Sequence, residues 1–248
     1  MTTVADSTFL RAALAAEGDP GARLGLIEQT LRPPEPQLLD TSVLQNLDWV
    51  DRLLETRGSI IWDDGAVDDL AQRYGPHLAN DLVDLGILYK EFENRSGYPW
   101  LVSRTVQWEV EQAGGIKGDR LRSLLQFFRG HQDDISIDAY PGIAQGLLFR
   151  VPSARVSPLL LRGLGVSSVD EVHSESGPLR FLRDRGDRTI AGEALVSNIP
   201  VLLTTDRATF WRHRGQLEDM GLAVMRPTEL LKLYEPYWEA LDEEFRRR

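Results

Sequence analysis

The sequence predicts an α/β protein with a mainly parallel central sheet and additional helices. Three observations carry this. Short apolar runs, such as Gln37-Leu38-Leu39 and Val201-Leu202-Leu203, alternate with longer segments of helical spacing. Each run closes on a polar residue that opens the next helical stretch, as Asp40 does before Thr41-Ser42. Strands that alternate with helices point to strand–helix–strand units and hence to parallel pairing.

Taken in order, residues 7–31 carry apolar side chains at helical spacing and are broken into two helices by Gly18-Asp19-Pro20-Gly21. Arg32-Pro33-Pro34-Glu35-Pro36 is an extended connector into the first strand. Val43, Leu44, Leu47, Val50 and Leu54 then mark a helix. Ser59-Ile60-Ile61-Trp62 reads as a short strand, followed by helical spacing through Leu70 and a further helix from about His77 to Tyr89. A strand is expected over Pro99–Ser103, and a helix over Arg104–Ala113 that ends at Gly114-Gly115. Leu121, Leu124, Leu125, Phe127 and Phe128 mark one helix and Ser157–Leu164 another, with a loop-like stretch between them. A helix at 187–197, a strand at 199–205, a helix around 208–219, a strand at 221–225 and a helix from Pro227 complete the chain. This divides into an N-terminal helical extension (1–36), a main domain (37–226) with insertions at about 50–98 and 118–182, and a C-terminal helix (227–248).

At 248 residues, with 42% hydrophobic and 27% charged residues, the chain has the composition of a globular protein with a substantial core. The absence of cysteine removes disulfide scaffolds, thiolate metal sites and cysteine nucleophiles from consideration. No apolar run reaches the ~18 residues of a membrane span. Residues 1–20 lack the features of a secretory signal, so a cytoplasmic protein without membrane contact is expected. The net charge of −10 is unevenly spread: the first 100 residues hold 17 acids and 8 bases, the remainder 21 and 20. Of the 28 basic residues all but Lys90, Lys117 and Lys232 are arginine. Arginine grips phosphate bidentately, although an arginine-rich genome composition explains the same bias.

The acids carry the chemistry. Asp40 and Asp206 close predicted strands, Asp187 opens a helix, and Glu109 lies on the helix after Leu101-Val102-Ser103. In an open parallel sheet the carboxyl ends of strands line one crevice, and ligands bind there. Carboxylates gathered in that crevice repel one another unless a hard cation neutralises them. Asp187 shares a helix face with Ile190, Ala191 and Ala194, so it caps the inward stripe, whereas Glu193 falls toward solvent. Asp184, three residues upstream, is an alternate that reads as an ordinary N-terminal helix acid. Glu109 flanks the buried stripe of Val106 and Val110, and Glu111 points outward. Structural explanations compete, since Asp and Ser are favoured helix caps and Asp is a common turn residue after a strand. Thr41 and Thr205 adjoin the main aspartates and are supporting candidates, with capping as their default. Asp133, Asp134 and Asp138 are given a loop role, and the four histidines have no metal spacing among them.

Leu38-Leu39-Asp40-Thr41-Ser42-Val43-Leu44, Val106-Gln107-Trp108-Glu109, Asp187–Ala194 and Val201–Asp206 with Phe210 resemble, in order, the four acidic motifs of PIN-domain nucleases. The resemblance is strongest over 37–44 and 184–225 and moderate over 99–111. It does not account for 1–36, much of 50–98 or most of 118–182. Small PIN toxins of toxin–antitoxin pairs are much shorter than this chain. The resemblance implies a three-layer α/β/α fold and hydrolysis of RNA by water, leaving 5′-phosphate and 3′-hydroxyl ends. It implies Mg²⁺ or Mn²⁺ held by Asp40, Glu109, Asp187 and Asp206, which fits the preference of hard cations for oxygen ligands. Arg104, Arg183, Arg185, Arg188 and Arg207 adjoin the motifs and are the candidate phosphate contacts, against ordinary surface charge. The alternative is a PIN-like scaffold or interaction module without nuclease activity, its acidic first 100 residues docking a partner or inhibitor protein. The oligomeric state is left open, a homodimer included. An aspartyl-phosphatase reading is disfavoured because Asp40-Thr41-Ser42 lacks a second aspartate two residues on.

Overall fold

The computed structural model describes residues 10, 12–31, 33–57, 64–94, 100–132 and 156–247. The strand expected at Ser59–Trp62 lies outside them, as do Asp133, Asp134, Asp138 and the stretch between the two middle helices. The chain divides into two compact units, one of residues 1–34 with 228–248, the other of residues 35–227.

The larger unit holds a four-stranded, wholly parallel sheet of strands β1 (Gln37–Leu39), β2 (Trp100–Val102), β3 (Val201–Leu203) and β4 (Ala223–Met225), in the order β2-β1-β3-β4. Every residue of β1, β2 and β3 is buried. Alternate side chains on a strand face opposite sides, so full burial means that both faces of the sheet are covered. The register sets Leu39 beside Val102 on one side and beside Leu203 on the other. Asp40, Ser103 and Thr204, one step further on, therefore emerge side by side. After β1 the chain moves to one flank of the sheet; after β3 it moves to the other. The β1–β3 junction is thus a topological switch point, where an open parallel sheet forms its ligand crevice.

Helix α2 (Thr41–Arg57) leaves β1 directly, with Val43, Leu44, Leu47 and Val50 buried. Helices α3 (Asp64–Tyr74) and α4 (Pro76–Asn94) pack with it through a cluster of Val50, Leu70, Ala79 and Leu82. Helix α5 (Arg104–Gln112) starts at Ser103, whose hydroxyl accepts from the Val106 amide at 3.2 Å. It is followed by α6 (Gly115–Gln132), then by the short helices α7 (Pro158–Gly163) and α8 (Val169–Val172). Helix α9 (Arg185–Val196) begins at the cap Asp184 and buries Ile190, Ala191 and Ala194, the stripe the sequence predicts. A 3₁₀ turn (Trp211–His213) and α10 (Arg214–Asp219) lead to β4.

The smaller unit contains α1 (Pro20–Thr30), capped by the Asp19 carboxylate on the Ala22 amide at 2.7 Å, and α11, which spans Pro227–Arg246. Leu10, Leu14, Ile27 and Leu31 form its core against Tyr237, Ala240 and Leu241. Arg23 pairs with the buried Glu244 at 2.8 Å.

Three expectations change in detail. The strand expected over 199–205 is Val201–Leu203. Pro200 has no amide to give, and beyond Leu203 the Thr204 and Thr205 hydroxyls enter a side-chain network. The helix expected around 208–219 is split, because the Asp206 carboxylate accepts from the Ala208 amide and the Thr209 hydroxyl and folds that stretch into a turn. Glu193 is half-buried rather than solvent-facing. No helix among the described residues is long and apolar enough to cross a membrane.

Candidate metal centre

Asp40 emerges at the switch point with its side chain almost fully buried. Its Oδ2 accepts from the Ser42 hydroxyl at 2.6 Å and the Thr204 hydroxyl at 2.8 Å. Ser42 in turn accepts from the Thr205 hydroxyl at 3.0 Å, and Thr205 accepts from the Asn46 amide at 2.7 Å. Every donor in this chain points toward Asp40, so the network has one polarity and favours the ionised carboxylate. The Asp206 amide donates to Thr204 at 3.0 Å, tying the strand end to the same cluster.

Four further carboxylates join Asp40 in one electrostatic cluster. Glu109, from α5, accepts from the Thr41 hydroxyl. Asp187 stands in the first turn of α9. Asp184, its cap, accepts from the Gly186 amide at 2.7 Å and the Asp187 amide at 3.3 Å. A side chain at Gly186 would place its Cβ 2.6 Å from a Glu109 carboxylate oxygen. An added methyl there would push the ends of the Glu109 and Asp184 side chains aside. Asp206 completes the group from the turn after β3, its two oxygens held by Ala208 at 2.8 Å and Thr209 at 2.6 Å.

The electrostatics follow. Burial raises the Asp40 carboxyl above the ordinary carboxylate range, the Ser42 and Thr204 hydroxyls oppose that rise, and the charge of Asp206 adds to it. Glu109 is raised chiefly by burial, with Thr41 opposing and Asp40 and Asp184 reinforcing. Asp187 is pushed up to about 7, first by burial and then by the charges of Asp40, Asp184, Glu109 and Asp206. Asp187 is thus the acid at which all the others meet.

Among the described residues no basic side chain pairs with these acids. The other buried acids among the described residues, Asp48, Asp81 and Glu244, each have an arginine: Arg120 at 3.0 Å, Arg226 at 3.5 Å and Arg23 at 2.8 Å. Among the described residues Asp40 has two hydroxyls, the Thr41 amide and further acids, and no cation. The donor set is all oxygen, the set that hard divalent cations prefer. Among the described residues, no three acids or imidazoles stand close enough in this arrangement to hold one ion, each carboxylate resting instead on a hydroxyl or amide. The residues fit a hard cation in kind and in charge, and closing on it requires exchanging those local donors for the ion.

The four acids named from the sequence, Asp40, Glu109, Asp187 and Asp206, thus fall around one crevice. Thr41 and Thr205 both join the network, Thr41 on Glu109 and Thr205 on Ser42. Asp184 is a helix cap, as expected, but its charge also belongs to the cluster. Sequence reasoning passed over Ser42, Asn46, Thr204 and Gly186. Asn46 stands four residues after Ser42 on the same helix, a spacing that shares a face. Of the arginines, Arg104, Arg183, Arg185 and Arg207 are exposed. Arg188 is not available to a phosphate. It is buried, and its guanidinium donates to the carbonyls of His173, Leu182 and Arg183 at 2.8–3.2 Å. No protein-family model matches the chain, and no curated protein or solved structure matches it either.

Proposed function

We propose that the protein is a metal-dependent ribonuclease with a PIN-like, three-layer α/β/α main domain, and that Asp40, Glu109, Asp187 and Asp206 hold its Mg²⁺ or Mn²⁺. One observation carries this reading: Asp40 is the buried acid with no cationic partner among the described residues, and four more acids act on the same crevice. A chain that gives arginines to Asp48, Asp81 and Glu244 and none to Asp40 leaves room there for a cation from outside. The order and spacing of the motifs, resembling those of PIN-domain nucleases, support the reaction class.

Asp40 is the fixed member. Two hydroxyls hold Oδ2, and neither of them goes to Oδ1. Glu109 and Asp187 approach from two helices, and the Glu109 carboxylate occupies the space beside Gly186. Asp187, pushed up to about 7, is suited to take or release a proton near neutral pH. When bound, a divalent cation supplies a lowered pKa for water and neutralises charge on the phosphoryl oxygens. Arg104, Arg183, Arg185 and Arg207 lie at the exposed margin, where guanidinium groups can grip strand phosphates.

The test is Mn²⁺-dependent cleavage of structured and unstructured RNA by the wild-type chain, with Asp40→Asn as control. Cleavage by wild type that disappears in the variant supports the reading; equal cleavage by both removes the site assignment. A second reading, a PIN-like interaction module without activity, is favoured by the local donors that hold each carboxylate and by the absence of a ready-made ion cage. It expects no cleavage and no rise in Tm with Mn²⁺.

A further inference from the structure

Beside the carboxylates lies a cavity of about 300 Å³ whose lining joins Asp184 and Asp187 to Phe181, Arg183, Arg212 and His213. A second cavity, about 570 Å³, shares Phe181 with it and includes Arg180 and Gln216. The rings of Phe181 and His213 stand with centroids 5.4 Å apart and planes inclined at 44°, forming an open aromatic corner. The corner is fixed: His213 Nδ1 donates to the Gln216 side-chain oxygen at 2.9 Å. Below it, Arg188 ties the Leu182 and Arg183 carbonyls to α9, so the segment carrying Phe181 is anchored to the helix carrying Asp187. Arg183 and Arg212 are exposed and form no ion pair among the described residues.

We propose that this cavity seats one unpaired nucleotide of the RNA strand, its base stacked in the Phe181–His213 corner and its flanking phosphates held by Arg183 and Arg212. The proposal rests on the nuclease reading and names the residues that would select its substrate. Three features converge. An aromatic face recognises any base by stacking, without reading its edges. Unpaired guanidinium groups beside that face match the repeating phosphates of a strand rather than a neutral ligand. The same cavity reaches Asp187, so a base seated in the corner puts its adjoining phosphodiester at the carboxylates. A volume at the low end of the ~300–1,000 Å³ of ligand sites admits a single base and not a base pair. Selection of single-stranded or looped RNA then follows from shape.

The experiment separates binding from cleavage. Full-length protein in EDTA is titrated with a short fluorescent RNA of unstructured sequence, and with the same RNA in a duplex, reading anisotropy. Phe181→Leu keeps the apolar bulk and removes the ring. It is expected to weaken single-strand binding by roughly 5- to 100-fold, the range of one lost base stack, and to leave duplex binding unchanged. Phe181→Tyr retains the stack and should bind as wild type does. Arg212→Ala should weaken binding at low salt and reduce the salt slope by about 1. The proposal is overturned if wild type does not bind the single strand, or if Phe181→Leu and Arg212→Ala bind it as wild type does. The two readings fail separately. Mn²⁺-dependent cleavage with an indifferent Phe181→Leu sinks the nucleotide seat alone; ring-dependent binding without any Mn²⁺-dependent cleavage sinks the nuclease alone.

Discussion

Two buried aspartates in the larger unit solve the same problem in opposite ways. Asp81, on α4, is fully buried and faces Arg226 at 3.5 Å. Arg226 also lies over the Trp211 ring, 4.9 Å from its centroid. Asp40, at the end of β1, is almost as deeply buried, but it faces hydroxyls and the charges of Glu109, Asp187 and Asp206. A buried ion pair is self-sufficient, and removing one partner strands the other. A buried acid cluster is strained by itself, and removing one member relieves the rest. On the function proposed above, the difference separates a carboxylate that serves the fold from one that serves a ligand, by a criterion that burial alone does not supply.

The sharpest way to break this comparison is to neutralise each aspartate in turn. Asp40→Asn should lower Mn²⁺-dependent RNA cleavage by on the order of 10³-fold or more, while the metal-free Tm stays level or rises slightly. Asp81→Asn should do the reverse. With Arg226 left buried, it should cost about 3–5 kcal/mol of stability, roughly 10 °C in Tm. Thermal melts of both variants decide the matter, and a fall in Tm for Asp40→Asn as large as that for Asp81→Asn would erase the distinction.

A smaller effect is the pH dependence of the metal-free protein. Asp187 titrates near 7 in the folded chain and near 3.8 unfolded. The folded state therefore binds the extra proton between these values, and its stability is greatest below about 4 and is lost as pH rises through 7. Allowing for the partial exposure of Asp187, the loss is about 1–2 kcal/mol. Melting the metal-free chain between pH 5 and 8 should show Tm falling, and Asp187→Asn should flatten most of that slope. Saturating Mn²⁺ should reverse it, since the cation rewards the ionised form. The smallest effect expected is that of Gly186→Ala. The added methyl displaces Glu109 and should weaken Mn²⁺ binding by about 10-fold, read as a shift in the Mn²⁺ dependence of Tm.

Much of this was legible in the sequence, for a definable reason. Strand ends and helix starts are local features, so Asp40, Asp187 and Asp206 are found where a period-2 run meets a period-3.6 run. Glu109 needed one more step, its position beside the Val106–Val110 stripe. What local pattern cannot carry is pairing between distant residues. Thr204 matters because the β1–β3 register sets Leu39 beside Leu203, which no window around residue 204 contains. Ser42 looked like a helix-starting residue and is one hydrogen bond from Asp40. Arg188 looked like its exposed neighbours, yet helical rotation turns it inward onto three carbonyls. Gly186 carries no chemistry of its own, and its role appears only as the space that Glu109 enters.

The parallel register has a consequence for how the gene tolerates change in length. Asp40 meets Thr204 because each follows its strand by one residue, and strands of three residues leave no slack to absorb an error. A single codon gained or lost within 37–42 or 201–206 would shift one partner along the ladder and turn its side chain to the opposite face. Codons gained or lost well away from these junctions, in the long segments that separate the strands in sequence, leave that meeting point where it is. Length polymorphism should therefore collect between the motifs and stop abruptly at their edges, so that a deletion scan of the coding sequence would trace the outline of the crevice without any assay of its chemistry.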